Sequence, residues 1–551
     1  MPPGMRSSIC GLVLALITVI VVVVNQRDVG VARDEVVYMQ HGSRYADWWV
    51  GLVTLDHGPS KDSITRSFGG KGPTDGNREH PPLAKTLFGL SEKLFHDELG
   101  VASELTAYRL PSALLHGLCV WLVYTMALAL WGFAEAVVAG LLLLFLPRAL
   151  FHAGLACFDA AIMTMWFATV YAYWRCLDGR RWPWQAGVAF GLALATKHTA
   201  GLLPFAIALH YAIVGYRSGR WRGLVLHRWR LIVSFVVLSP LVLALVWPWL
   251  WFEPVAHVRD WITFHLRHVH YNFEYLGENW NAPPFPWHVA LVTTLVTVPV
   301  VTLVAAALGT GAWIARRDEV TYPDRAPGLL LALSAAASIG PFFLGSTPIF
   351  GAEKHWMPAL PSLCIAAAVG VVWAGRVAFG VLAAWRPLAD RWRYPLIGAL
   401  ATIVVGAAAV ETFTAQPYAL SSYNALAGGA PGGADLGMNR QFWGVAARGV
   451  LPVLAREAPA AGAPPVSVYT HDAAPAWGVY HRLGLLPKTV RDAGWEQQGI
   501  DRSQLAIVIH EKHFNRHDYL IWRSYGSVQP VFVLRVAGVP LVSVYRRSAR
   551  D

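Results

Sequence analysis

The chain has 551 residues, 55% of them hydrophobic and only 14% charged. A water-soluble chain of this size carries about a quarter charged residues, so much of this apolar surface must face lipid. The net charge is +11, from 45 basic and 34 acidic side chains; the arginines gather in short loops between apolar runs, the positive-inside pattern of a membrane protein, which excludes a nucleic-acid groove.

Apolar runs that approach the ~20 residues needed to cross a bilayer begin at 9–24. Asn25, Gln26 and Arg27 follow in place of a small-residue cleavage site, so this reads as an uncleaved first helix with its N-terminus inside. A polar stretch, 25–109, comes next. Further runs lie at 111–131, 134–150, 160–174, 184–195, 202–214, 231–250, 287–314, 328–344, 357–374 and 397–410. The spacing predicts a polytopic all-α bundle of about eleven transmembrane helices. Inside loops then hold Arg175, Arg180 and Arg181; Arg217, Arg220, Arg222, Arg228 and Arg230; Arg316, Arg317 and Arg325; and Arg376, Arg386, Arg391 and Arg393. The short outer loops hold only Arg148, Lys197, Arg259 and Arg267, and Lys354. An odd number of spans leaves the C-terminus outside.

After about Thr412 the composition shifts toward Gly, Pro and charge. Short β-like runs at 466–469, 505–509, 531–536 and 541–545 alternate with helical stretches at 441–457 and 474–483. This predicts an extracytoplasmic α/β domain over 414–551, following a membrane domain over 1–413 with large outer loops at 25–109 and 251–286. The cysteines (Cys10, Cys119, Cys157, Cys176 and Cys364) avoid the polar region and show no metal-ligand spacing, so neither a disulfide framework nor a Cys-rich zinc site is expected.

Polar residues of interest fall almost entirely on the outer side. Asp34-Glu35 follows the first span; a carboxylate there suits general-base work, while the plain alternative is the acidic start of a helix over 36–49. In Glu79-His80-Pro81-Pro82-Leu83-Ala84-Lys85, His80 and Lys85 could face a phosphate, or simply open an interfacial helix. Arg109 at a span mouth, Asp159 at a helix start, Lys197-His198 and Glu353-Lys354-His355 each have an anchoring or capping alternative. The loop 251–286 carries Glu253, His257, His265, His268, His270, Glu274 and Glu278 among aromatics. These could bind a divalent metal, or the rings could stack on a sugar. Several charged clusters on one face suit a substrate whose tail stays in lipid.

The order of Asp34-Glu35, His80-Pro81-Pro82-Leu83-Ala84-Lys85 and Arg109-Leu110-Pro111-Ser112 resembles the protein O-mannosyltransferases (glycosyltransferase family 39) and the related aminoarabinose transferases. Asp159, the 191–201 stretch with Lys197, and Lys354-His355 also resemble family positions, over roughly the first 375 residues. The resemblance implies a GT-C fold, a polyprenyl-phosphate-linked sugar donor and inversion at the anomeric carbon. It implies Asp34 as general base and Glu35 as its support or the orienter of the acceptor. It places His80, Lys85 and Arg109 near the donor phosphate, and the positions of Lys197, Lys354 and His355 join them. Ala84 stands where the family often has Gly. No β-trefoil insert is visible; Tyr423-Asn424, Gly437-Met438 and Phe442-Trp443-Gly444 instead resemble segments of bacterial membrane glycosyltransferases.

The expected function is transfer of a sugar from such a donor to an extracytoplasmic protein, lipid or glycan, in the bacterial inner membrane. No cofactor is expected, because a phosphate leaving group needs no metal. The alternative is a transporter or lipid flippase with an outer accessory domain. It is disfavoured because charged residues sit at span ends rather than at the bilayer midplane. A non-catalytic glycan-binding scaffold is the third reading.

Overall fold

A computed structural model describes residues 3–69, 77–177, 182–218, 229–386, 389–460, 462–512 and 515–548. Arg180, Arg181, Arg220, Arg222 and Arg228, five of the arginines of the expected inside loops, lie outside the described residues.

The first helices are α1 (Pro3–Asn25), α2 (Arg33–Val53), α3 (Lys61–Phe68), α4 (Leu83–Glu92), α5 (Glu104–Leu130), α6 (Phe133–Leu144), α7 (Pro147–Ala153), α8 (Phe158–Cys176), α9 (Trp184–Leu194) and α10 (Leu203–Ser218). Then come α11 (Trp229–Val246), α12 (Pro254–Leu266), α13 (Val289–Thr297), α14 (Val300–Ile314), α15 (Pro327–Ile339), α16 (Leu360–Trp385) and α17 (Arg393–Ala415).

Among the described residues, seven helical segments are long and apolar enough to cross a membrane, or nine if two bent pairs each count as one span. The protein is a multi-pass membrane protein, and the expected count of eleven is corrected to seven to nine. The two helices that drop out are α8 and α9. The first is rich in Tyr, Trp and Thr and largely buried in the bundle; a helix wrapped by other helices need not be lipophilic. The second has only 11 residues.

The bent pairs also correct two runs read as straight spans. Helices α6 and α7 meet at 69°, and α13 and α14 at 118°. A break inside a membrane frees carbonyls that lipid cannot satisfy. At the second break Asn424 satisfies them: its Nδ2 donates to the carbonyls of Leu295 (2.7 Å) and Val298 (2.6 Å), and its backbone N–H donates to Val296 (2.9 Å).

Without a hydrophobic drive between spans, close approach depends on small residues. Where α14 crosses α16, a Cβ on Gly309 would lie 1.8 Å from the Ala366 carbonyl oxygen, and one on Gly370 would lie 1.9 Å from that of Ala305. The same device joins α2 to α4: a Cβ on Gly42 would meet the Lys85 carbonyl oxygen at 2.4 Å, and one on Gly89 the Gly42 oxygen at 2.0 Å.

The C-terminal part holds five strands: β3 (Val466–Tyr469), β4 (Val490–Asp492), β5 (Leu505–Ile509), β6 (Phe532–Val536) and β7 (Val539–Arg546); a hairpin, β1 (Phe273–Tyr275) and β2 (Glu278–Trp280), belongs to the loop before α13. The sheet order is β4-β3-β5-β7-β6. β3 pairs in parallel with β4 and β5, whereas β7 is antiparallel to β5 and β6. The sheet is thus mixed. The predicted helix over 441–457 narrows to a 3-10 turn, Val445–Val450, followed by Leu451–Arg456, because Gly444 takes a left-handed conformation just before it (φ 72°). One hydrophobic cluster runs from Val31, Phe88 and Tyr108 through Trp443 and Tyr480 to Ile507 and Leu541. The sheet and parts of α2, α4 and α5 therefore share a core.

Filling the α2–α4 contact tests this packing. Gly89→Val should destabilise the protein by about 1–3 kcal/mol, as overpacking does, and lower its melting temperature in detergent. Gly311→Ala, which meets nothing within 4 Å, should leave it within error.

Candidate active site

Asp34 and Glu35 open α2 as adjacent residues, and the helix turns them to different surroundings. Glu35 is fully buried. Its Oε1 accepts from Arg109 Nε (2.8 Å) and Ala156 N–H (2.8 Å); its Oε2 accepts from Arg109 Nη2 (2.8 Å) and Ala32 N–H (2.8 Å). The last bond closes the N-terminus of α2 as half of a capping box. Of its two expected roles, orienting the acceptor or supporting Asp34, this geometry leaves Glu35 the second. It fixes the start of the helix that carries Asp34.

Arg109, by contrast, is corrected. Besides Glu35, it donates to the carbonyls of Gln26 (3.0 Å), Val29 (3.2 Å) and Gly30 (2.7 Å). All five guanidinium N–H groups are engaged, so none is left for a phosphate. Lys85 is likewise buried, and its ammonium donates to Asn77 O (3.0 Å), Asn77 Oδ1 (2.8 Å) and His80 O (3.0 Å). It ties down the 77–80 turn instead of reaching a phosphate.

Asp34 is only partly covered, with a quarter of its side chain exposed. Its Oδ2 lies 3.7 Å from Lys354 Nζ. The Lys354 ammonium sits over aromatic faces, 4.1 Å from the Trp443 ring centroid, 4.8 Å from Phe350 and 5.0 Å from Phe442. Burial pushes the Lys354 pKa below the ordinary lysine value, against the pull of Asp34 and Asp159. Lys197 bonds Asp159 Oδ1 at 2.9 Å. His152 lies 3.9 Å from Asp159 and 3.7 Å from Glu353, and Glu353 pairs with Arg148 at 2.6 Å. Burial alone would raise the Glu353 carboxyl, but the Arg148 charge overrides it and holds it below its ordinary value. From the sheet side, Asp472 pairs with Arg33 at 2.9 Å, directly beside Asp34.

The histidines form a separate aromatic group. His80 packs among Tyr38, Phe158, Phe264 and His265. Burial there, with the charge of Lys85, pushes its imidazole well below the ordinary range, so it is neutral at pH 7 and is not the cation expected. His355 bonds the Phe350 carbonyl through Nε2 (2.6 Å), and burial keeps it neutral too. His265 stacks on His198 at 3.5 Å and bonds the Glu79 carbonyl; burial lowers it to about 4. His268 lies against Phe350, and His270 against Phe285. Glu253 pairs with Lys61 on an exposed rim, away from this cluster. No group of three or more His, Cys, Asp or Glu among the described residues is placed to hold a metal ion.

Asp34, Asp159, Lys197 and Lys354 are thus brought together. Arg109 and Glu35 stand behind them, and Glu253 and His270 stand apart. Sequence reading missed Arg148, His152 and Asp472 as members of the cluster. Arg148 and Glu353 could have been found as opposite charges at the ends of two apolar runs, but Asp472 gives no signal at a separation of 439 residues from Arg33.

Residues 79–249 match the family profile described as dolichyl-phosphate-mannose-protein mannosyltransferase. Over these residues the chain is thus similar to a family of lipid-phosphate-dependent glycosyltransferases. Two solved structures are similar along most of the chain. ArnT from Cupriavidus metallidurans, bound to undecaprenyl phosphate, is 15% identical, with 99% of this chain and 98% of that chain covered and a TM-score of 0.49. The archaeal oligosaccharyltransferase AglB from Archaeoglobus fulgidus, in complex with an inhibitory peptide and a dolichol-phosphate, is 11% identical, with 94% and 71% covered and a TM-score of 0.48. No curated protein matches.

Removing one partner of the Glu35–Arg109 pair leaves a buried charge uncompensated. Arg109→Met should cost about 3–5 kcal/mol, read as a loss of folded protein on size-exclusion chromatography. The double variant Glu35→Gln/Arg109→Met should recover part of that loss. A second expectation concerns Lys354. Because its pKa is depressed, its charge is lost as pH rises below the ordinary lysine range, so activity should fall on that alkaline limb. Lys354→Arg, which stays charged, should move the limb upward in a pH–rate profile.

Proposed function

We propose that this protein transfers a sugar from a polyprenyl-phosphate donor to an acceptor hydroxyl or amine, with inversion, on the extracytoplasmic face of a bacterial inner membrane. The observation that carries this reading is the partly exposed carboxylate of Asp34 beside Lys354, with the Lys197–Asp159 pair close to Lys354, at the membrane-domain end where the sheet docks. An apolar cleft of about 410 Å³ lies alongside, lined by Trp49, Val53, Leu83, Leu87, Leu90 and Val246. Leu83 N–H donates to the Ala195 carbonyl (3.2 Å), so one end of the cleft is two residues from Lys197. A lipid tail in the cleft would leave its phosphate between the lysines.

In the proposed step the acceptor oxygen or nitrogen attacks C1 of the sugar from the face opposite the phosphate. The C1–O bond breaks, the electron pair leaves with polyprenyl phosphate, and the acceptor proton passes to Asp34. Lys354 and Lys197 balance charge gathering on the departing phosphate. Glu35 and Arg109 position Asp34 without touching the substrate. The chain divides in this reading into a membrane domain (1–413) and an outer domain (414–551) that completes the site from above. The connectivity agrees with this sidedness: α8, α10 and α16 each begin at the site end and run toward Arg175, Arg217 and Arg386 respectively.

The test supplies purified protein with polyprenyl-phosphate mannose, glucose or aminoarabinose and a membrane extract, and measures free polyprenyl phosphate. One donor should be consumed, and Asp34→Asn should slow its consumption by about 10²–10⁴-fold with the fold intact. Equal rates for wild type and variant would remove Asp34 as the base. Consumption of no donor, with lipid movement in vesicles instead, would favour a flippase.

A further inference from the structure

Next to Lys354 lies a second, smaller cavity of about 20 Å³, walled by Arg148, Thr293, Glu353, Tyr423, Gln441 and Phe442. It adjoins the site directly. Phe442, one of its walls, is also a face of the aromatic group around Lys354, and Glu353 is the residue before Lys354. A volume of this size admits one hydroxyl-sized group and no sugar ring.

Several buried polar side chains line this cavity among apolar ones. Gln441 is 1% exposed, and neither its Nε2 nor its Oε1 has a hydrogen-bond partner among the described residues. The same holds for Arg148 Nε and Thr293 Oγ1. Glu353 Oε1 has His152 no nearer than 3.7 Å. Buried polar atoms are normally paired, and an unpaired one carries a desolvation cost. The unpartnered atoms of the lining residues are thus N–H donors on Gln441 and Arg148, a carbonyl and a carboxylate oxygen, and a hydroxyl that can play either part. That set matches a group that both donates and accepts, namely an alcohol. A hydroxymethyl arm, one carbon longer than a ring hydroxyl, can place its oxygen in so small a space while the ring stays outside.

We propose that this cavity receives the exocyclic hydroxymethyl group of a hexose, and that Gln441 is the main residue selecting hexoses over their 6-deoxy counterparts. The proposal rests on the sugar-transfer reading and names a specificity determinant for it. The hydroxymethyl belongs either to the donor sugar or to a glycan acceptor. The arm's O–H donates to Gln441 Oε1 or Glu353 Oε1, and its oxygen accepts from Gln441 Nε2 and Arg148 Nε. A 6-deoxy sugar would leave these atoms unpaired, which is the situation in which a binding site discriminates most strongly.

The experiment uses the full chain in lipid nanodiscs. Polyprenyl-phosphate mannose and its 6-deoxy counterpart are compared by kcat/KM in wild type, Gln441→Leu and the milder Thr293→Val. The wild type should favour the hexosyl donor by at least about tenfold, Gln441→Leu should bring the ratio close to one, and Thr293→Val should lower it partway. A preference that instead follows hexose against 6-deoxyhexose in a glycan acceptor, with the donor held fixed, assigns the arm to the acceptor. Equal loss for both sugars in Gln441→Leu, or an unchanged ratio, would overturn the proposal and leave the transfer reading intact. If wild type consumes neither donor, the transfer reading fails first. Saturation-transfer NMR with methyl mannopyranoside then decides the cavity: C6 protons saturated in wild type and not in Gln441→Leu support it, and no difference between the two overturns it.

Discussion

The buried ion pair between Glu35 and Arg109 holds the site in place. Two charges removed from water are tolerated only when their remaining donors and acceptors are satisfied. Here the guanidinium binds one carboxylate and three carbonyls from the 26–30 turn, and the carboxylate also takes the N–H groups of Ala32 and Ala156. A single pair thus fixes the exit from the first span, the start of α2, the mouth of α5 and the turn before α8. Asp34 inherits its position from that arrangement, and so does Asp159, three residues past Ala156.

Around this fixed point the buried charges divide by how many partners each holds. Arg109 is held by Glu35 and three carbonyls, Arg148 by Glu353, and Lys85 by backbone and Asn77. Lys197 and Lys354 have fewer. Lys197 has one carboxylate, and Lys354 has a carboxylate at 3.7 Å and aromatic faces. Aromatic rings keep a cation desolvated without neutralising it, so the charge of Lys354 remains available to an anion arriving from the membrane. The neutral histidines nearby enclose this end of the site without adding to its charge.

Much of the plan was legible in the chain. The apolar runs marked the helices, and alternating β-branched residues marked the strands at 466–469 and 505–509. Strand β4 was not legible, since Val490-Arg491-Asp492 offers one apolar residue in three. The bends at 145–146 and 298–299 were hidden because hydropathy averages across them, although Pro147 and Pro299 lie at each. Within the site, the sequence marked Asp34-Glu35 as a pair and could not divide their roles. Neighbours on a helix point about 100° apart, and which one turns inward was decided by Arg109, 74 residues on. Arg109 and Lys85 were legible as cations in a motif, but their partners are mostly backbone carbonyls, which leave no trace in sequence. The cluster's later members, Trp443 and Asp472, meet it only through tertiary packing.

That packing bears on when the protein becomes competent. Asp34 leaves the ribosome well before the ring over Lys354 and the carboxylate beside Arg33, which come from residues 443 and 472, on a sheet whose last strand ends at Arg546. Chains are made from the N-terminus, so a half-made bundle already displays its carboxylate while its cationic partner lacks an aromatic cover. The centre closes only when the final strands have crossed and docked. A truncated or stalled chain would lack both the ring over Lys354 and the carboxylate beside Arg33.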